Sequence, residues 1–293
     1  MSDAIDSPRP SSADAARARA RSALAVVLVV LGAALAWGVL AMPDDPRPSY
    51  DDREAVVGNP VVEGSLPARA AFERDYWHHW EDAGHYRPLA TLLLRFDHAR
   101  ALRSDGSLDW RVFRRTNVAL HVLVVTLAGL VLLRLERVRS LALPWFGLGL
   151  FALHPAGADV VAWISGRTSL VSGLGAAVGA LIATFATRRR TVALLAGFLG
   201  TGIALLGKED GVVLVVAMPV VAAACGGRRA ATWTFLAALA ATAGVAALRG
   251  LALGDPVPSA TGAPLASEPL MARVGIGLAA WWSGFVSLVT PWV

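Results

Sequence analysis

Long uncharged runs recur along this chain, set apart by short charged connections and by one extended polar interruption. The first run, Ser22–Met42, holds no charge. A helix rises about 1.5 Å per residue and a bilayer core is about 30 Å thick, so about 20 such residues can cross it. Further runs lie at Thr116–Leu133, Ser140–Ala158, Thr168–Thr187, Thr191–Gly207, Gly211–Gly227, Ala230–Leu248 and Val274–Val293. The pattern predicts eight transmembrane helices, three of them short, in an all-α polytopic membrane protein. Single glycines and alanines inside the runs suit close helix packing in lipid.

The interruption spans residues 43–115 and carries 13 of the 22 acidic and 11 of the 27 basic residues. Two of its stretches have helical, amphipathic spacing: Ala68–Trp80, with Phe72, Tyr76, Trp77 and Trp80, and Leu89–Leu102, with Leu92, Leu93, Phe96 and Ala99 on one side. Helices rich in tryptophan and arginine commonly lie along a membrane interface. The domain plan is therefore a disordered cytoplasmic tail at 1–21, a first span at 22–42, an outer loop at 43–115 and about seven spans over 116–293. Ser22–Met42 exceeds a typical signal-peptide core, and proline follows the small-residue candidate Ala41-Met42, so the first span reads as retained.

Composition agrees: 55% of residues are apolar and 17% charged, outside the range of soluble domains. The net charge of +5 does not point to nucleic acid, because the basic residues sit mostly at the ends of apolar runs. The one cysteine, Cys225, excludes an intrachain disulfide.

With the N-terminus inside, the inner connections hold Arg134, Arg137, Arg139, Arg188, Arg189, Arg190, Arg228 and Arg229 against Glu136 alone. The outer connections after residue 115 hold Arg167, Lys208, Arg249 and Arg273 with Asp159, Glu209, Asp210, Asp255 and Glu268. Cytoplasmic connections favour Lys and Arg, so this orientation follows. It gathers Asp51-Asp52, His154-Pro155, Arg167 and Lys208-Glu209-Asp210 on the outer face.

Lys208 is the only lysine in the chain. It reads either as a turn paired with its own acids or as a point charge offered to an anion. Arg167, at the start of a span, is an interfacial anchor or, with Lys208, half of a phosphate clamp. His154 and Asp159 are polar groups among apolar neighbours, in a segment that reads as a re-entrant turn with a short interfacial helix. Asp51-Asp52 is a solvated pair, a general base for a hydroxyl acceptor, or part of a divalent-cation site needing further oxygen ligands.

Taken in order, Tyr50-Asp51-Asp52-Arg53-Glu54 through Asn59-Pro60, Tyr86-Arg87-Pro88-Leu89, Asn117 with His121, Ala152-Leu153-His154-Pro155, Trp163-Ile164-Ser165-Gly166-Arg167 and Gly207-Lys208-Glu209 resemble one family. It is the membrane part of the tetratricopeptide-repeat O-mannosyltransferases, within the GT-C glycosyltransferases. The resemblance covers about residues 45–220. It implies a GT-C-like helical bundle whose large first outer loop carries the catalytic acidic pair, here Asp52 or Asp51, with Asp52 favoured. It implies a polyprenyl-phosphate sugar as donor, mannose by resemblance, and a protein or peptide hydroxyl as acceptor. Outer-face basic residues would meet the donor phosphate, carried onto Arg167 and Lys208, with His154 and Arg87 next; Glu209, Tyr86 and Asp159 are further candidates. No metal or other cofactor is expected, and no oligomeric state follows. No tetratricopeptide repeat is present, and Pro291-Trp292-Val293 lies inside an apolar run, so further spans and a repeat domain are expected beyond Val293. The rival readings are a transporter or lipid-handling protein with a polar pathway to the inner arginines, and a non-catalytic scaffold with Asp51 and Asp52 in bulk water.

Overall fold

The structure is a computed structural model that describes residues 51–77, 83–135, 142–186, 189–256 and 269–289, with Pro48 and part of 24–38. The tail 1–21, Tyr50, Trp80, Arg137, Arg139, Arg188, Glu268, the Asp159 side chain and the stretch 290–293 lie outside these. Among the described residues every regular element is helical apart from an isolated bridge between Leu102 and Leu108. In order these are α1 (Val26–Leu35), α2 (Asp52–Val56), a 3₁₀ turn (Ala68–Phe72), α3 (Pro88–Ala101), α4 (Trp110–Arg134), α5 (Ala142–Leu153), α6 (Pro155–Ala162), α7 (Arg167–Ala183), α8 (Arg190–Gly207), a second 3₁₀ turn (Glu209–Val213), α9 (Leu214–Leu253) and α10 (Leu270–Val289).

Among the described residues three stretches are long and apolar enough to cross a membrane: Trp110–Arg134, Arg190–Gly207 and Glu209–Leu253. The last has 45 residues, about twice what one crossing needs. It divides at Gly227, whose φ of 72° is a left-handed backbone that side-chain-bearing residues avoid. Met218 on the first arm meets Gly179, and the Thr234 hydroxyl on the second donates to the Ala193 carbonyl at 3.1 Å. The two separate runs expected over 211–248 are therefore two arms of one kinked helix. The Ser140–Ala158 run is instead broken at His154, where Pro155 opens a new helix, as proline can at a first helical position. α5, with 12 residues, is about 18 Å long, too short to cross alone.

The polar segment after residue 50 is a folded cap. Ala55, Val56, Val62, Tyr76, Trp77 and Leu94 form one buried cluster with Phe113 of α4 and Ile164. Arg95 staples the cap by donating to the carbonyls of Val61 at 2.6 Å and Leu66 at 2.7 Å. The helix expected over Ala68–Trp80 does not continue past the 3₁₀ turn in the described residues 73–77. The Asp75 carboxylate accepts the backbone N–H groups of Trp77 at 2.8 Å and His85 at 2.9 Å, a local bond that competes with helix. Tyr76 and Trp77 consequently turn into the cap, ring against ring at 4.6 Å. The second expected helix is α3, but its buried side carries Ala90, Leu94, Asp97 and Ala101. Phe96, from the stripe read in sequence, is exposed. α4 begins at Trp110, inside the expected loop, where the Asp109 carboxylate caps it by accepting from the Arg111 N–H.

Candidate active site

The turn between α6 and α7, residues 163–166, lies against the N-terminal half of α4, and polar side chains of that helix fix its backbone. The Asn117 amide donates to the Trp163 carbonyl at 2.8 Å, and the Arg114 guanidinium donates to the Ala162 carbonyl at 3.0 Å. Both side chains are buried, where unpaired carbonyls would cost free energy, so these bonds set the shape of the turn.

The acidic pair docks onto this turn. The Trp163 indole N–H donates to Asp51 Oδ1 at 2.9 Å, and the Ser165 backbone N–H donates to Asp52 Oδ1, also at 2.9 Å. Asp52 is fully buried, while Asp51 is half-buried at the lip. Asp52 is thus withdrawn from bulk water, while Asp51 keeps part of its surface exposed.

Arg167 closes the turn from below and has no exposed surface. Its Nη2 pairs with Asp97 Oδ2 at 2.6 Å and donates to the Phe113 carbonyl at 2.7 Å, while Nε donates to Asn117 Oδ1 at 2.9 Å. Asp97, also without exposure, accepts from the Thr116 hydroxyl at 2.7 Å. An arginine so matched is neither an interfacial anchor nor an open clamp; only its Nη1 lacks a hydrogen-bond partner among the described residues. The Tyr76 hydroxyl and Ser165 Oγ are buried beside one another, and neither makes a well-aligned hydrogen bond to another described residue. Tyr76 lies within the field of Arg87, Arg167 and Asp51, and burial pushes its hydroxyl up to about 12. Arg167 Nη1 therefore keeps unused hydrogen-bonding capacity near Asp52, with the Tyr76 and Ser165 hydroxyls close by.

Lys208 arrives from the end of α8. Its ammonium donates to the Ser169 hydroxyl at 2.9 Å and lies 3.4 Å from Asp210 Oδ2, with a third of the side chain exposed. Ser169 is two residues beyond Arg167, so the acidic pair, Arg167 and Lys208 share one end of α7. Glu209 faces the other way and receives Arg87, Nε at 3.1 Å and Nη2 at 3.0 Å. Arg87 in turn stands 5.5 Å from the centre of the Tyr76 ring. Tyr86 is buried and donates to the Phe72 carbonyl at 3.2 Å, a tie within the cap. His154 lines an apolar groove of about 510 Å³ with His121, Leu150, Phe151, Val160 and Ser169. The Ser169 hydroxyl that holds Lys208 belongs to a residue of its wall.

Asp97, Tyr76 and Ser169 were not singled out from sequence. For Asp97 a signal existed, since a lone carboxylate sits in register with Ala90, Leu94 and Ala101 on the buried stripe of α3. Among the described residues no group of three or more His, Cys, Asp or Glu side chains is placed to hold a metal ion.

No protein-family model and no solved structure matches the chain. Over 131 residues, 42% of this chain, it is 30% identical to Protein O-mannosyl-transferase F38B6.6 of Caenorhabditis elegans, covering 18% of that protein. Over 130 residues it is 32% identical to Protein O-mannosyl-transferase Tmtc2 of Drosophila melanogaster, covering 13% of it. The same fly's Protein O-mannosyl-transferase Tmtc1 is 32% identical over 129 residues, with 14% covered. The chain thus spans less than a fifth of the length of the curated relatives it matches.

Proposed function

We propose that this chain carries the catalytic end of a GT-C-type membrane glycosyltransferase that moves mannose from a polyprenyl phosphate to a protein hydroxyl on the outer face. The observation that carries this reading is that Asp51 and Asp52 dock on the 163–166 turn while Lys208 binds Ser169 on the adjoining first turn of α7, beside an apolar groove. The partial relatives named as protein O-mannosyl-transferases supply the sugar and the acceptor class.

In this mechanism Asp51, the half-buried member of the pair, accepts the proton of a serine or threonine hydroxyl. The freed oxygen attacks the anomeric carbon, and the bond from that carbon to the phosphate oxygen breaks with its electron pair on the phosphate. The leaving polyprenyl phosphate gains a negative charge, which the Lys208 ammonium meets. The prenyl chain lies in the groove between Leu150, Phe151 and Val160. Asp52 holds Ser165 and so fixes the turn, and Arg167 is a positioning residue acting through Asn117 and Asp97. The polar groups of this site gather at one end of the bundle, which separates it from a transport pathway through the midplane.

The test is mannose transfer to a serine- and threonine-containing peptide from synthetic polyprenyl-phosphate mannose, using protein reconstituted in liposomes. Asp51→Asn is expected to reduce the rate by at least about 100-fold, the range of a lost general base, with the melting temperature unchanged. Transfer by Asp51→Asn at the wild-type rate would remove the assignment.

A further inference from the structure

At the opposite end of the bundle, α7 finishes at Ala183 and α8 begins at Arg190; with 17 residues in α7, the two ends lie about 25 Å apart. Here a cavity of about 590 Å³ opens between α7, α8 and the kink of α9. Arg189, Arg190 and Arg229 stand around it, and Ala186, Ala193, Gly226, Ala230 and Trp233 make its walls. Arg190 is spread over the Trp233 ring, its Cζ 3.7 Å from the ring centre, which holds the guanidinium at the rim. Among the described residues no carboxylate lines the cavity, and none of the three arginines forms an ion pair. Arg134, nearby in the fold, is by contrast occupied with the Thr184 hydroxyl at 3.0 Å and the Phe185 ring.

Three like charges around one hollow repel one another, and the arrangement is relieved by an anion. Guanidinium forks match phosphate oxygens two at a time. The wall beneath is methyl groups, backbone and indole, which suits the glycerol and upper acyl carbons of an amphiphile better than a hydrated ion. We infer that this cavity binds the phosphate of an anionic phospholipid from the leaflet opposite the Asp51–Lys208 site. Basic hollows between helix ends are a recurring form of lipid headgroup site.

The experiment is native mass spectrometry of the detergent-solubilised full chain after incubation with phosphatidylglycerol, phosphatidylcholine or inorganic phosphate, alongside thermal unfolding. Wild type is expected to retain phosphatidylglycerol at least about tenfold over phosphatidylcholine and to melt higher with it. Inorganic phosphate at the same concentration leaves the melting temperature unmoved. The triple variant Arg189→Gln, Arg190→Gln, Arg229→Gln keeps its lipid-free melting temperature and loses the preference. Equal retention of both lipids, an unchanged preference in the variant, or equal protection by inorganic phosphate each overturns the proposal. Should the triple variant fold poorly, Arg229→Gln alone serves, with a several-fold weaker preference expected.

Discussion

Arg167 and Asp97 are joined with no exposed surface on either side chain. Removing one partner of such a pair leaves an uncompensated buried charge, typically costing about 3–5 kcal/mol, whereas replacing both with apolar groups of similar size is often neutral. Asp97→Asn is therefore expected to lower the melting temperature sharply in detergent, and the double variant Asp97→Leu, Arg167→Met to recover most of the loss. Tyr76 behaves differently, because its buried hydroxyl meets only the neutral Ser165 hydroxyl and not a charged partner. Tyr76→Phe gives up at most one neutral hydroxyl contact, worth about 1 kcal/mol, while removing a buried polar atom, so its melting temperature is expected to stay close to wild type. With the phenol held up at about 12, it stays protonated through the physiological range. The pH dependence of transfer by Tyr76→Phe should match wild type below pH 9, measured by initial rates. Sequence placed Asp51, Asp52, Arg167 and Lys208 on one face because charge asymmetry between spans is a one-dimensional signal. It gave no hint that Arg167 is consumed by Asp97, since that pairing joins residues 70 apart through a turn whose backbone Asn117 shapes.

Among the elements, α7 and α8 pack backbone against backbone. A methyl added at Gly175 would lie 2.6 Å from the Gly200 carbonyl oxygen and 2.9 Å from the Ala204 Cα. Gly175→Ala must push the helices apart, at a cost of about 1–3 kcal/mol, and it draws Lys208 away from Ser169. Lower melting temperature together with slower transfer is the expected result. Gly202→Ala is the matched control, because nothing lies within 4 Å of the added methyl. It should be as stable as wild type or slightly more so, as glycine disfavours helix. Apolar periodicity foresaw α3 within one residue at each end and α8 almost unchanged. It failed at Ala68–Trp80 because the bonds from Asp75 outweigh a spacing of aromatic residues that packing inside the cap also satisfies.

For the molecule as a whole, polar chemistry collects at two ends of an alanine- and glycine-packed bundle. One end holds the acidic cap, the 163–166 turn and Lys208, and the other holds Arg134, Arg189, Arg190 and Arg229. The proposed orientation puts the cap outside. In a Cys225→Ser background, a membrane-impermeant maleimide added to intact cells should label Asp105→Cys, on the exposed turn at Gly106, and spare Arg189→Cys until the membrane is opened. The reverse labelling would invert the topology. This two-ended layout was legible in sequence as alternating charge between apolar runs. The cap's interior was not, since contacts such as the Gly84 carbonyl with Arg249 at 2.9 Å join residues 165 apart.

The bond between Trp163 and Asp51 spans 112 residues, and its neighbour from Ser165 to Asp52 spans 113. A ribosome adds about 5–20 residues per second, so the acidic pair leaves it roughly 6–20 s before its partners exist. During that interval α4 and α5 must be delivered to the membrane while the cap waits with its carboxylates hydrated. Assembly of the candidate site is thus gated by synthesis: it closes only once α6 and the head of α7 have emerged, and a stalled chain ending before Trp163 presents an acidic loop with nothing to dock on.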